Sequence, residues 1–143
     1  MPETPESQKN KKIIVKKLKN LFPDLKRAGS INRYMFLSEK SDCAFYLTFA
    51  SKANLFYDIN EFELNELESS KNGYFCVLIG SSESCLFFPA GDVRNQISKF
   101  INQTDGQHYK FHLEIDNTKY SIKELPDLNI MKYFNNFSVK VDF

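Results

Sequence analysis

The sequence contains few cysteines, few glycines and prolines, and no long apolar run. Cys43, Cys76 and Cys85 are an odd number without a C-x-x-C pair, which argues against a disulfide framework and a structural zinc site. Five glycines and five prolines exclude collagen-like or linker sequence. The longest apolar run, Tyr74 to Ile79, is far shorter than the roughly 20 residues of a membrane span, and residues 1–12 are polar where a secretory signal is apolar. We therefore expect a soluble, cytoplasmic protein with no membrane partner.

Bulky apolar side chains are abundant instead. Of the 143 residues, 42% are apolar, and they include 14 Phe and 7 Tyr. A chain of this length can bury about two-thirds of the surface that it exposes when unfolded, which is enough for one core. We predict a polar, basic leader over residues 1–12 and a single α+β domain over residues 13–143. Cys76 and Cys85 lie in apolar, strand-forming segments, which predicts core residues and not nucleophiles.

Positive and negative charges are unevenly distributed along the chain. Residues 1–52 hold 11 Lys and Arg against 5 acids, for a net charge of +6, whereas residues 53–143 hold 8 against 13, for −5. The positive charges are densest at Lys9, Lys11, Lys12, Lys16, Lys17, Lys19, Lys26, Arg27 and Arg33. Such a cluster is typical of a surface that binds a polyanion, and it is also found on the solvated face of an ordinary helix.

Apolar spacing predicts the elements of the domain. Ile14, Leu18, Leu21 and Phe22 form the stripe of a first helix that Pro23 ends near residues 20–22, and a loop follows around residues 28–30. Extended segments are predicted at Tyr34 to Leu37, Cys43 to Phe49, Leu55 to Tyr57, Tyr74 to Ile79, Ser84 to Phe88, His108 to Asp116, Tyr120 to Ile122 and Ser138 to Phe143. Further helices are predicted after Asn60, after Asp92 and over Leu128 to Phe137.

The second helix should be capped by Asp58 or Asn60, and Ile59, Phe62 and Leu67 should form its buried side. Asn72-Gly73 should end it in left-handed backbone. The hairpin over residues 74–88 is apolar on both faces, which predicts a place at the centre of the sheet. The third helix should continue to Ile101, because apolar residues keep helical spacing up to that position.

The order of these elements predicts an α+β fold, with a curved, mainly antiparallel sheet or a partly closed β-barrel and about four flanking helices. Ser138 to Phe143 stops in the middle of an apolar and polar alternation. We therefore expect the chain to be the N-terminal module of a longer protein, with an effector domain after it. The alternative is a final strand docked in the sheet of a complete small protein.

No motif of high catalytic specificity is present. His108 and His112 stand four residues apart on a predicted strand, about 13 Å from each other, which is too far for one metal ion. Asp24-Leu25-Lys26 matches the (D/E)-x-K pattern of metal-dependent nucleases but falls in a predicted helical turn. Gly80-Ser81-Ser82 lacks the spacing of a phosphate loop and indicates a hairpin turn. We expect no metal, no cofactor and no catalysis by this chain.

The order of segments resembles a known family. The run Phe56-Tyr57-Asp58, the segment Tyr74 to Gly80, the return Leu86-Phe87-Phe88-Pro89, the strand Tyr109 to Ile115 and Tyr133-Phe134-Asn135-Asn136-Phe137 are similar in layout to small DNA-recognition domains of prokaryotic restriction enzymes. These include the N-terminal domains of McrB-like and LlaJI-like subunits. The resemblance covers about residues 45–137. It implies binding of duplex DNA by a module whose catalytic partner lies elsewhere.

The sequence therefore predicts a non-catalytic recognition module, of a restriction or defence system, that binds double-stranded DNA through its basic N-terminal region. We expect phosphate contacts from Lys11, Lys12, Lys16, Lys17, Lys19, Lys26 and Arg27. Base edges would be contacted by Asn32, Arg33, Ser81, Ser82, Asn102 and Gln103. Two alternatives remain: a protein-interaction or regulatory domain whose acidic C-terminal two-thirds binds a basic partner, and a Mg²⁺-dependent nuclease.

Overall fold

A computed structural model describes residues 5–28, 35–50, 56–79, 85–99, 101–102, 108–116 and 119–133. These residues contain three α-helices: α1 (Pro5–Leu21), α2 (Glu61–Glu68) and α3 (Ala90–Gln96). They contain nine strands: β1 (Lys26–Ala28), β2 (Met35–Ser38), β3 (Cys43–Ala50), β4 (Phe56–Asn60), β5 (Asn72–Ile79), β6 (Cys85–Pro89), β7 (Ile101–Asn102), β8 (His108–Asp116) and β9 (Lys119–Ile122). Short 3₁₀ segments occupy Ile97–Lys99 and Ile130–Tyr133.

The strands form two sheets. The first has the order β1-β2-β3-β5-β6, and in the second β8 pairs with β4, β7 and β9. The pairing of β3 with β5 is parallel, and the other pairings are antiparallel. The predicted α+β class is therefore confirmed. A closed barrel and a fourth α-helix are not found in the part of the chain that the structure describes; Ile130–Tyr133, within the predicted fourth helix, is 3₁₀, and residues 134–137 lie outside that part.

The first sheet is covered on both faces, which explains why its central strands are apolar throughout. On one face, Ile14 and Leu18 of α1 are fully buried against Phe45 and Tyr74, whose rings stack 5.6 Å apart. On the other face, strands β5 and β6 pack against β8, α2 and α3. Ring contacts such as that between Phe75 and Phe111, 6.0 Å apart, join the two sheets there. The fold is thus α1, a sheet, and a mixed layer of sheet and helices.

All three cysteines are core residues, as predicted for Cys76 and Cys85. All are free and buried, and all lie on the sheet face that α1 covers. Burial, followed by a hydrogen bond with the thiol of Cys85, raises the pKa of Cys76. A thiol held in its protonated form is a poor nucleophile, so Cys76 contributes packing to this core.

The start of α2 follows the sequence pattern, but its buried face does not. Asn60 caps the helix by accepting a hydrogen bond from the backbone N–H of Glu63, whose side chain accepts one from the N–H of Asn60 in return. The prediction that Phe62 is buried is wrong, since 59% of its surface is exposed while Leu64 and Leu67 are buried. Residues three apart share a helix face, and Phe62 projects from the opposite side.

Two predicted boundaries are also wrong. Asn72 and Gly73 do not end α2 in left-handed backbone; they begin β5. The third helix ends at Gln96, because the backbone at Ile101 pairs instead with Lys110 of β8. Residue 100 lies outside the described part.

The hairpin of β5 and β6 is confirmed, with its predicted turn over residues 80–83 outside the described part. Within the described residues, β5 is an inner strand but β6 is the last strand of its sheet, so the predicted central position holds for β5 alone. The residues of β6 from Cys85 to Phe88 are nevertheless buried, because both faces carry core side chains.

His112 lies on β8 between the stretch paired with β7 and the stretch paired with β9. Its backbone N–H donates to Oε1 of Glu124, and its Nδ1 lies 2.7 Å from Oε2 of the same carboxylate. Burial raises the pKa of Glu124, but the hydrogen bonds from His112 outweigh it and hold that pKa below its usual value. The carboxylate of Glu124 therefore accepts the hydrogen bond of the His112 backbone N–H at a position where neither β7 nor β9 pairs with β8.

Replacing Glu124 by glutamine is expected to lower the free energy of unfolding by about 1 to 2 kcal/mol at neutral pH, because a charge-assisted hydrogen bond becomes a neutral one. The folded-state pKa of Glu124 lies below the value of 4.5 that is usual for a glutamate. The contribution of the carboxylate is therefore complete above about pH 4.5 and is lost as the pH falls through the folded-state pKa. Urea unfolding from about pH 7 to about pH 3 should show the difference shrinking; a constant difference would contradict this role.

Candidate nucleic-acid interface

The solvent face of α1 carries a row of lysines. Lys9, Lys12, Lys16 and Lys19 are exposed and follow one another at intervals of three and four residues, which places them on one side of the helix. The row extends over about 15 Å of the helix axis. No acidic residue occurs between Lys9 and Leu21, so nothing within this segment neutralises the row.

The opposite stripe of α1 fixes the direction of these lysines. Ile14 and Leu18 are fully buried in the core, and the ring of Phe22, just after the helix, lies 5.5 Å from that of Phe45. Like charges three or four residues apart destabilise a helix by about 0.2 to 0.5 kcal/mol per pair. Burial of one Leu or Ile side chain is worth about 1.5 to 3 kcal/mol, so packing on the sheet outweighs the repulsion within the row.

Lys11 does not belong to this surface, although the sequence analysis placed it there. Only 9% of its surface is exposed. Lys11 stands three residues before Ile14 and seven before Leu18, so it continues the buried stripe and not the exposed row. Lys17 is half-buried at the flank of the helix. Lys9 was part of the charge cluster but not of the predicted contact set. It belongs to the exposed row because it precedes Lys12 by three residues.

Lys26 and Arg27 lie on opposite faces of β1. Arg27 is paired with Phe36, which belongs to the core beneath α1, so both residues share that side of the sheet. Lys26 points to the other side and donates to Oε1 of Glu39 at 2.7 Å, a hydrogen bond that raises the pKa of the lysine. Of the two predicted contacts, Arg27 lies on the α1 side of the first sheet and Lys26 on the other side.

The nuclease-like motif has a structural role. Asp24 lies in a turn, and Lys26 begins a strand, whereas the sequence analysis expected a helical turn throughout. The carboxylate of Asp24 accepts hydrogen bonds from the backbone N–H of Lys40 and the hydroxyl of Ser38, and these lower its pKa. It thereby ties the end of α1 to the turn between β2 and β3. Across the described residues, no group of three metal-binding side chains is found.

The predicted base-contacting residues are not brought into this surface by any described contact. Asn32, Arg33, Ser81, Ser82 and Gln103 lie outside the described residues. Asn102 is placed by its backbone, which pairs with Tyr109 in the second sheet, while its side chain is outside the described part. Their role stays a prediction.

Arg94, which was not among the predicted contacts, forms ion pairs within the fold. Its guanidinium, between α2 and α3, lies 2.5 Å from Oε1 of Glu61 and 2.6 Å from Oε1 of Glu68. It also donates to the side-chain oxygen of Asn65. The hydrogen bond from Arg94 lowers the pKa of Glu61. This network joins the two helices, and in it Arg94 partly neutralises Glu61 and Glu68, two acids of the C-terminal part of the chain.

Comparison with known proteins gives no match. No family model, no curated protein and no solved structure is significantly similar to this chain. Among the described helices, none is long and apolar enough to cross a membrane. The case for a function therefore rests on the surface of α1.

Proposed function

We propose that this chain is a non-catalytic module that binds duplex DNA through the solvent face of α1. The observation that carries the proposal is the row Lys9, Lys12, Lys16 and Lys19, which is exposed and not interrupted by an acid. Neutralising phosphates with lysine releases condensed counterions, and this supplies most of the affinity of a sequence-independent contact. Arg27 lies on the α1 side of the sheet, which keeps it a candidate for a further phosphate contact.

The contrast with other charged surfaces favours this proposal over an ordinary solvated helix. A solvated helix is commonly stabilised by opposite charges three or four residues apart. Two other cations in this fold do stand next to acids: Lys26 next to Glu39, and the half-buried Arg94 next to Glu61 and Glu68. The α1 row repeats one sign of charge along about 15 Å. A strand of duplex DNA offers one phosphate per roughly 3.4 Å of axis, so the two charge densities are comparable.

The remaining parts of the proposal come from the sequence. The loop residues Asn32, Arg33, Ser81, Ser82 and Gln103, with Asn102, would contact base edges. The similar segment order of restriction-enzyme recognition domains supports a role in a restriction or defence system. In that arrangement the effector domain is fused to this module or associates with it.

A titration of the protein with duplex DNA at two salt concentrations tests the proposal. If the four lysines each neutralise one phosphate, the affinity should fall about 150-fold between about 50 and 200 mM salt, because log K falls with a slope of about 0.9 per contact. Undetectable binding at the lower salt concentration, or binding that does not change with salt, would refute the proposal. Binding of a basic protein, with no detectable binding of DNA, would instead support the protein-interaction alternative.

A further inference from the structure

We infer that the α1 surface binds nucleic acid independently of base sequence and has a higher affinity for duplex than for single-stranded nucleic acid. This inference rests on the proposed function, and it concerns which nucleic acid the same site accepts. The side chains on the exposed face of α1, the way in which the helix is docked, and the burial of the nearby aromatic rings support it independently.

From residue 11 to the end of α1, and at Lys9, the described side chains on the exposed face suit phosphates better than base edges. Base readout relies mainly on bidentate partners, such as Arg with guanine and Asn or Gln with adenine. The row consists of lysines, which act as flexible point charges. Asn20 is exposed beside it, but its amide ends closer to the helix than a lysine ammonium does. A duplex held at the length of the lysine side chains therefore stays beyond the reach of Asn20.

The docking of α1 along the sheet leads to the same conclusion. A recognition helix commonly places its N-terminal residues against base edges in the major groove. Here the buried positions Ile14, Leu18 and Phe22 hold the helix lengthwise on the core. The exposed lysines therefore project from the side of the helix and not from its end. The affinity of a helix that lies on its side across a row of phosphates depends on the spacing and charge of the phosphates and not on the bases.

Aromatic burial disfavours single strands. Proteins that hold single-stranded nucleic acid stack its bases on exposed aromatic side chains. The described aromatic residues on the α1 side of the sheet, Phe22, Phe36, Phe45, Tyr74 and Phe87, are all buried. Among these described residues, only charged side chains are left to contact nucleic acid, and each phosphate contact contributes a salt slope of about 0.9 on duplex DNA against about 0.7 on single strands.

The test compares the wild-type protein with the variant Lys12→Gln/Lys16→Gln on three ligands of equal length: a mixed-sequence duplex, a duplex of permuted sequence, and a single strand. At about 0.1 M salt, two lost contacts should weaken binding about 60-fold on either duplex and about 25-fold on the single strand. The variant Lys119→Gln/Lys123→Gln removes equal charge from exposed positions at the second sheet and should change each affinity by about two-fold or less.

The outcomes separate the two proposals. Equal losses on the two duplexes and a smaller loss on the single strand support the inference. A loss confined to one duplex sequence, or a loss on the single strand as large as that on the duplexes, would overturn the inference and leave duplex binding by α1 intact. If the wild-type protein binds none of the three ligands, the proposed function itself fails.

Discussion

Changing Lys9, Lys12, Lys16 and Lys19 together to glutamine is expected to lower the affinity for duplex DNA about 4,000-fold at about 0.1 M salt. Each of the four phosphate contacts contributes about 0.9 to the slope of log K against log salt. Counterion release contributes nothing at about 1 M salt, so the loss is the effect of all four contacts over the ten-fold change in salt from about 1 M to about 0.1 M. It corresponds to about 5 kcal/mol of binding free energy. Gln is a good helix former, and the change removes repulsion within the row, so the fold should be preserved.

A matched variant separates position from net charge. Lys71, Lys99, Lys119 and Lys123 are exposed and lie outside α1, so their replacement by glutamine removes the same charge elsewhere. Because exposed charges are largely screened beyond about 10 Å at 0.1 M salt, this variant should lose less than about ten-fold in affinity. If both variants lose affinity equally, the binding surface is not α1. Circular dichroism of each variant checks that the helices are intact.

Replacing Gly73 by alanine is expected to destabilise the fold by about 3 kcal/mol or more, since overpacking of a tight site costs about 1 to 3 kcal/mol and this clash is severe. A Cβ atom at Gly73 would lie 2.0 Å from the carbonyl oxygen and 2.7 Å from the carbonyl carbon of Leu67. Both are backbone atoms, so no side-chain rotation relieves the clash. The last turn of α2 would have to move away from β5, and Leu67 is fully buried there.

Gly91 provides the control for this substitution. It lies within α3, and a Cβ atom there would have no neighbour within 4 Å. Alanine at this position should stabilise the protein by about 0.5 to 1 kcal/mol, because alanine is the better helix former. Both values can be measured by urea unfolding. A Gly73→Ala variant as stable as the wild-type protein would show that α2 and β5 are not as close as the structure places them.

Elements with complete periodic patterns were predictable from the sequence. The stripe of Ile14 and Leu18 gave the first helix, and alternation gave β8. The face of α2 was not predictable, because Phe62 and Leu64 are both apolar and packing against the sheet decides between them. The end of α3 also depends on a distant strand: Ile101 keeps helical spacing, but pairing with β8 takes its backbone.

The candidate site likewise has some features that were predictable from the sequence and others that were not. Spacing alone identifies the exposed row, including Lys9, once the buried stripe is known. The burial of Lys11 follows from the same spacing and could have been predicted. The separation of Lys26 from Arg27 could not, because β1 is a strand of three residues whose pairing with β2 decides which side chain faces α1.

The most direct measurement of the role of α1 is the difference between two salt slopes. The two proteins are the wild type and the variant in which Lys9, Lys12, Lys16 and Lys19 are all changed to glutamine. The affinity of each for one duplex would be measured over a range of salt concentrations. If these lysines contact phosphates, the slopes of log K against log salt should differ by about 3.6. Equal slopes for the two proteins would contradict the assignment of the DNA contact to α1.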